Sequence, residues 1–448
     1  MTTIAQGNVS GVLSKTLGLR SKKDALLCIY AFGTAFFILA LMVIPAYYPS
    51  LNPIVDLTAL VYTVSIIMTL IGVVWAGYAV LGLILEPHPN IGHTFHGKFS
   101  IIVGAKDEES VITRLVKDLQ AQTYKNFEVI IVCHNCEDHT YTTVKKIRDS
   151  RIKPLELKGK PGKSVALNYG AKHSSGEILV VFDADNHVPP DFLEKITHYF
   201  PQHDAVQSRI ETGNPNFNML TRLAELEFIS FTDLFQITRS GLRLNTALGG
   251  TGEAIKREAI EKVGYWDEWA LTEDFALFTK LTANGYKIGW CPDTYVLDEK
   301  IPWWSEFFKQ RARWMKGHVQ VAFRYIKLYW NKHIDLHYLI APISVLGYYF
   351  TTFLWLISFL QLPFTASFLP VWTWVVPWVI WNMGIAIRIY RRKGAKSLLL
   401  FPLLFFYLYH WIAIFAYMLR IKTWTKTPHG FIADRETSIR ASNLSSAG

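Results

Sequence analysis

The stretch ILVVFDADNHVPP, residues 178–190, drives five apolar residues into two aspartates separated by one alanine, with no basic residue beside them. A continuous run of this kind, bounded by turn residues, reads as a strand buried on both faces. Residues two apart in an extended chain point the same way, so Asp183, Asp185 and His187 project together. Close carboxylates repel, and leaving both ionised requires a cation. Hard oxygen donors suit Mg or Mn bridging to substrate phosphates, with His187 as an additional ligand. The plainer alternative has Asp183 capping a turn and Asp185 in solvent.

Outward from that strand the pattern alternates. FSIIVGA (99–105) and FEVIIVC (127–133) are further apolar runs, residues 108–121 carry helical spacing, and a helix starting near Lys163 stops at Gly176 before EILVVF (177–182). Strands alternating with helices predict an α/β domain with a parallel sheet covered on both faces. In such sheets ligands bind beyond the carboxyl ends of the strands, where Asp183 and Asp185 fall.

Other segments carry chemistry. LKGKPGKSVALNYG (157–170) places glycines and lysines, Lys163 among them, ahead of a helix. Backbone amides and ammonium groups there suit phosphate oxygens, a flexible surface loop being the alternative. In LGGTG (248–252), Gly250, Thr251 and Gly252 allow close approach to a ligand. Glu273 and Asp274 lie in an apolar setting able to hold a carboxylate poised to accept a proton, with a helix cap from Thr272 as the competing explanation. In PWWSEFFKQRARWMKGHVQ (302–320), Gln310, Arg313 and Trp314 stand three and four apart on one face of a basic amphipathic helix lying at a lipid headgroup plane. The pair in CHNC (133–136) reads as structural filler, since no second pair completes a zinc site.

Composition sets the surroundings. Of 448 residues 50% are hydrophobic, with 15 Trp, 28 Phe and 21 Tyr, and apolar blocks occur at 25–48, 57–85, about 338–362, 368–388 and 397–419. Each approaches or exceeds the roughly 20 residues that cross a bilayer, so the reading is a multi-pass plasma-membrane protein. The basic flanks at Lys15–Lys23 and RIYRRKGAK (388–396) put the intervening catalytic domain in the cytoplasm. Five spans conflict with the basic C-terminal tail, so one block is interfacial or re-entrant. The net charge of +10 clusters beside apolar blocks and no nucleic-acid motif accompanies it, so nucleic acid is not an expected partner.

Taken in order, IIVGAKDEES, GKPGKSVALN, DAD (183–185), GGTG, TED (272–274) and QRARW (310–314) resemble the membrane-bound family 2 glycosyltransferases, the group of cellulose, chitin and hyaluronan synthases. The likeness covers roughly residues 98–330 and KTWTKT (422–427). It implies a GT-A-like α/β domain with a mixed or parallel sheet, flanked by transmembrane helices, with bounds of 98–300 for the catalytic domain and 301–335 for interfacial helices. It implies inverting transfer from a nucleotide-diphosphate sugar, UDP-sugar being favoured, to a carbohydrate or lipid acceptor, with Mg or Mn. Asp183 would contact the nucleotide, Asp185 the metal, and Lys163 the donor. Asp274, beside Glu273, would be the general base; Gln310, Arg313 and Trp314 would line the acceptor and hold the diphosphate; Trp424 and Thr427 would close over it. The family's strand-end Asp is replaced here by His134 and Asn135, which puts the donor base in question. A processive polysaccharide synthase is the leading expectation, a lipid glycosyltransferase such as one acting on diacylglycerol the rival.

Overall fold

The computed structural model describes residues 58–85, 94–330 and 369–400, with Met418 and Ile421. Its centre is a seven-stranded sheet built from β1 (Phe99–Ala105), β2 (Phe127–His134), β3 (Ile152–Leu157), β4 (Ile178–Asp183), β5 (Ala205–Thr212), β6 (Glu253–Lys256) and β7 (Ile288–Asp298), in the order β3-β2-β1-β4-β6-β5-β7. β3, β2, β1 and β4 are parallel, as expected from their unbroken apolar runs. β6 is reversed against both β4 and β5, so the sheet is mixed.

The runs are unbroken because both faces are covered. Ile101, Val103, Val129, Ile131, Val180 and Phe182 pack under the helices Ile112–Gln120 (α2), Thr140–Lys145 (α3) and Phe192–Thr197 (α5). Their neighbours Ile102, Ile130, Val132, Leu179 and Val181 pack under Lys163–Lys172 (α4), Arg257–Lys262 (α8) and Glu273–Ala283 (α9). The expected stop of α4 at Gly176 falls earlier, at Lys172. Gly176 instead donates its N–H to Ser100 Oγ at 2.7 Å and ties the following turn to β1.

A separate helical layer joins Thr58–Ile84 (α1), Met219–Glu227 (α6), Leu234–Gly241 (α7), Trp304–Arg324 (α10) and Leu369–Lys393 (α11) around Tyr78, Leu223, Trp304, Phe307, Trp381 and Ile385. A single π-helical turn, Phe228–Asp233, links α6 to α7.

This layer corrects the expected localisation. Among the described residues no helix is long and apolar enough to cross a membrane, which overturns the reading of a multi-pass membrane protein with a cytoplasmic catalytic domain. The blocks 57–85 and 368–388 instead supply α1 and α11, whose apolar residues meet each other: Trp75 and Trp381 lie 4.9 Å apart by ring centroid. The basic end of α11 pairs with the domain, Arg392 to Asp233 and Glu211 and Lys393 to Glu225. Blocks 25–48 and 338–362, residues 401–417 and 419 of the block 397–419, and Trp424 and Thr427 lie outside the described residues.

Candidate active site

Because β6 runs opposite to β4, it begins where β4 ends: Glu253 pairs with Val181, two residues before Asp183. The glycine loop before β6 is therefore delivered to the carboxyl-end crevice. Gly250 and Gly252 have φ of +75° and +61°, conformations in which a side chain is strained. Gln207, buried in β5, shapes this loop by accepting the Gly249 N–H at 2.7 Å and donating to the Thr251 carbonyl at 2.9 Å. Thr251 in turn donates its hydroxyl to Asn186 Oδ1, and both side-chain oxygens accept the Asp183 N–H.

Lys163, first residue of α4, gathers the segments. Its Nζ lies 2.6 Å from Asp183 Oδ1 and 3.4 Å from Glu273 Oε1, and donates to the Gly250 carbonyl at 2.8 Å. Burial opposes its charge, but Asp183 and Glu273 outweigh burial and hold the ammonium above its usual range. Asp183 is raised by burial first, with Lys163 opposing and Asp185 and Asp298 adding to the rise.

Glu273 and Asp274 open α9, where a helix N-terminus favours negative charge. Thr272 makes no capping hydrogen bond, so the competing explanation of this segment as an ordinary cap is not met. Burial, then the Glu273 carboxylate, pushes Asp274 up to about 7, against the Phe275 N–H, Lys163 and Arg313. Its Oδ1 accepts that N–H at 2.8 Å, and its Oδ2 faces Gly250, where an added Cβ would lie 3.4 Å away.

α10 closes on this segment. A Cβ on Gly317 would stand 2.6 Å from Thr272 Cγ2 and 2.9 Å from its backbone nitrogen, so only glycine lets the helices meet there. Arg313 donates to the Leu271 carbonyl at 3.1 Å; burial lowers its pKa, while Glu273, Asp274 and Asp183 support its charge. Gln310 and Trp314 are half-buried on the same helix, and the Arg311 guanidinium lies 4.3 Å from the Trp314 ring centre.

Other expected residues have different partners. His187 turns Nδ1 to Asp118 at 2.9 Å. Among the described residues the three-ligand group that assembles is Asp107, Cys136 and Asp138, not Asp183, Asp185 and His187. The acids of that group already accept backbone N–H from Glu137, Glu109 and Thr140. Asp185 is buried, with its carbonyl held by Arg114. Asn135, at φ +52°, exchanges two hydrogen bonds with Gly159 and so fastens the glycine-lysine loop to the end of β2. The cysteines Cys133 and Cys136 are free thiols.

Three residues of this cluster escaped the sequence reading: Gln207, Asn186 and Glu253. Glu253 is wholly buried; burial first, then Asp274, raises it to about 8 against Lys163. The single signal for it was its place directly after the glycine loop.

Comparison with known proteins bears on the fold and the family of the domain. Residues 96–317 match the family described as Glycosyltransferase like family 2. The probable glycosyltransferase YdaM of Bacillus subtilis is 28% identical over 72% of this chain and 83% of its own. A beta-monoglucosyldiacylglycerol synthase of Synechocystis is 31% identical over 53% of this chain, and a poly-beta-1,6-N-acetyl-D-glucosamine synthase of Staphylococcus aureus 27% identical over 54%. The chain spans 52% and 59% of the length of those two relatives. A mannosyltransferase of Pyrobaculum calidifontis, solved with GDP-mannose and Mn2+, superposes with a TM-score of 0.52 at 19% identity, covering 80% of this chain and 99% of its own, and so shares the GT-A-like fold. Residues 96–317 are thus a family 2 glycosyltransferase domain on a mixed α/β sheet, and the chain is a glycosyltransferase.

Proposed function

We propose that the protein transfers a sugar, with inversion, from a nucleotide-diphosphate sugar to an acceptor hydroxyl at the crevice between Asp183 and Asp274. The convergence of Asp183, Glu273 and the Gly250 carbonyl on one Lys163 ammonium carries this reading. Asp274 Oδ2 takes the acceptor proton, Oδ1 being held by the Phe275 N–H. As that proton leaves, the acceptor oxygen bonds to the anomeric carbon and the bond to the nucleotide diphosphate breaks on the opposite face, so an α-linked donor yields a β-glycoside. A base near its own pKa at neutral pH serves an otherwise weak hydroxyl nucleophile. Lys163 and Arg313 stabilise the charge gathering on the departing diphosphate more than they stabilise the bound donor.

The donor set also fits a divalent cation. Asp183 and Asp185 supply hard carboxylate oxygens at a strand end, and Asp183 is raised first by burial and further by the Asp185 carboxylate, a repulsion that such an ion would relieve. Mg or Mn bound by Asp185 and Asp183 would neutralise the diphosphate oxygens.

For the acceptor, a growing β-linked polysaccharide is the first reading, supported by Q-x-x-R-W on α10 and by the likeness to the poly-glucosamine synthase. A lipid acceptor is the second, favoured by the 31% identity to the diacylglycerol enzyme. Incubation with radiolabelled UDP- and GDP-sugars tests both. Asp274→Asn is expected to lower cation-dependent nucleotide release by about a thousandfold, within the range for loss of a general base. Unchanged turnover removes Asp274 from the role, and product size separates polymer from lipid-soluble monoglycoside.

A further inference from the structure

Glu253 is the first residue of β6, and its side chain ends beneath the glycine loop. Its Oε2 accepts the Gly250 N–H at 3.3 Å, and on the other side of that residue the Gly250 carbonyl accepts from Lys163 at 2.8 Å. Gly250 is thereby held from both ends with its Cα face toward Asp274 Oδ2. The second oxygen, Oε1, is buried and has no hydrogen-bond partner among the described residues. An ionised carboxylate with one oxygen deprived of both water and donors is costly to keep; a neutral acid is far cheaper.

We propose that Glu253 is a positioning residue for this reaction: a buried, neutral carboxylic acid that fixes Gly250 against the base and, by carrying no charge, leaves the negative charge to Asp274. This deepens the reading of Asp274 as the base and rests on it. The groups facing Glu253 are Asp274 and Glu273 from α9 and Lys163 from α4, while its strand neighbours Val181 and Gln207 carry no charge. Two carboxylates so placed cannot both ionise cheaply, and the one with the unpartnered oxygen keeps the proton.

The sign of the pH effect follows. Between about 7 and about 8 Asp274 is ionised while Glu253 is neutral, and the negative charge beside them is balanced by Lys163 and Arg313. As pH rises through the upper value Glu253 ionises, adding a further negative charge beside Lys163, so donor diphosphate is repelled and kcat/KM falls.

The test compares wild type, Glu253→Gln and Glu253→Ala, each checked for folding by its thermal transition. Infrared difference spectra should show, at neutral pH, the carbonyl band of a protonated carboxylic acid that Glu253→Gln loses. Glu253→Gln should lower kcat about threefold and remove the alkaline fall in kcat/KM. Glu253→Ala, which leaves the Gly250 N–H without its acceptor, should lower kcat about thirtyfold, in line with the loss of a buried hydrogen bond. A band unchanged in Glu253→Gln, or an alkaline limb identical to wild type, overturns the proposal. So does an alanine variant as active as the glutamine one. The infrared readout needs no turnover, so it answers for Glu253 even if Asp274→Asn retains activity and the assignment of the base fails.

Discussion

Lys163 holds together residues from three parts of the chain, and its loss should be felt at all of them. Lys163→Met leaves Asp183, Glu273 and the Gly250 carbonyl without their shared donor. We expect kcat/KM for donor to fall about a hundredfold, mostly through kcat, as for removal of one stabilising donor at a developing charge. Asp274 carries a trade between activity and stability. Its carboxyl is raised from 3.8 to about 7 in the folded chain, so between those values the folded state keeps a proton that the unfolded state releases. Stability therefore declines as pH rises across that window. Asp274→Asn escapes this decline: its Tm advantage over wild type should be small at pH 4, grow toward pH 7 and level off above it, while transfer is lost throughout. In wild type kcat/KM should fall on the acid side with a midpoint about 7, as the base is protonated. Asp183, Asp185, Glu273, Asp274 and Lys163 were legible in the sequence because charged residues beside strand ends and glycines are conspicuous, although Glu253 was passed over as part of the loop before it. Gln207 and Asn186 were not, since a buried amide that shapes a loop leaves no periodic trace.

Elements show the same division. β1, β2 and β4 announce themselves as unbroken apolar runs, a pattern that two covered faces demand. β6 does not: four residues, half of them charged, directly after a glycine-rich loop read as part of that loop. Its reversed direction is fixed by partners far away in the chain, which no local pattern reports. α10 was expected from its spacing, and its three-residue face was seen, but its contact with the start of α9 depends on Gly317. Gly317→Ala would drive a methyl group to 2.6 Å from Thr272. Overpacking of this kind costs about 1–3 kcal/mol, so denaturant midpoint should fall accordingly. Because the displaced segment carries Glu273 and Asp274, kcat should fall about tenfold even at temperatures where the variant is fully folded; a stability loss without a rate loss would separate α10 from the base.

At the scale of the whole molecule, the helical layer is fastened to the sheet by charge as well as by apolar packing. Asp233, with a side chain 2% exposed, faces Arg392 at 2.5 Å, Arg209 at 3.7 Å and Arg388 at 3.9 Å. Removing Asp233 leaves Arg388 without this acid and Arg209 and Arg392 with Glu211 as their remaining carboxylate, and since the arginines are partly exposed, breaking the set costs about 3 kcal/mol, the low end for buried pairs. Asp233→Ala should therefore lower the unfolding free energy by that amount, and amide exchange in α11 should quicken more than in β1 or β4. Equal protection across the variant and wild type would mean that apolar packing alone holds α11. The apolar blocks were plain in the sequence, but their destination was not: hydropathy measures how much a helix avoids water, and leaves open whether another helix or lipid receives it.

The antiparallel insertion of β6 has one more result. Its partners come from residues 178–181 on one flank and 205–207 on the other, and the chain between β5 and β6 first passes through the helical layer. Loop closure must precede pairings of this span, and because β6 lies between β4 and β5 the glycine loop reaches the crevice only when both flanks are in place. In a refolding experiment, nucleotide release should therefore reappear no earlier than sheet formation, making turnover itself a clock for the docking of β6.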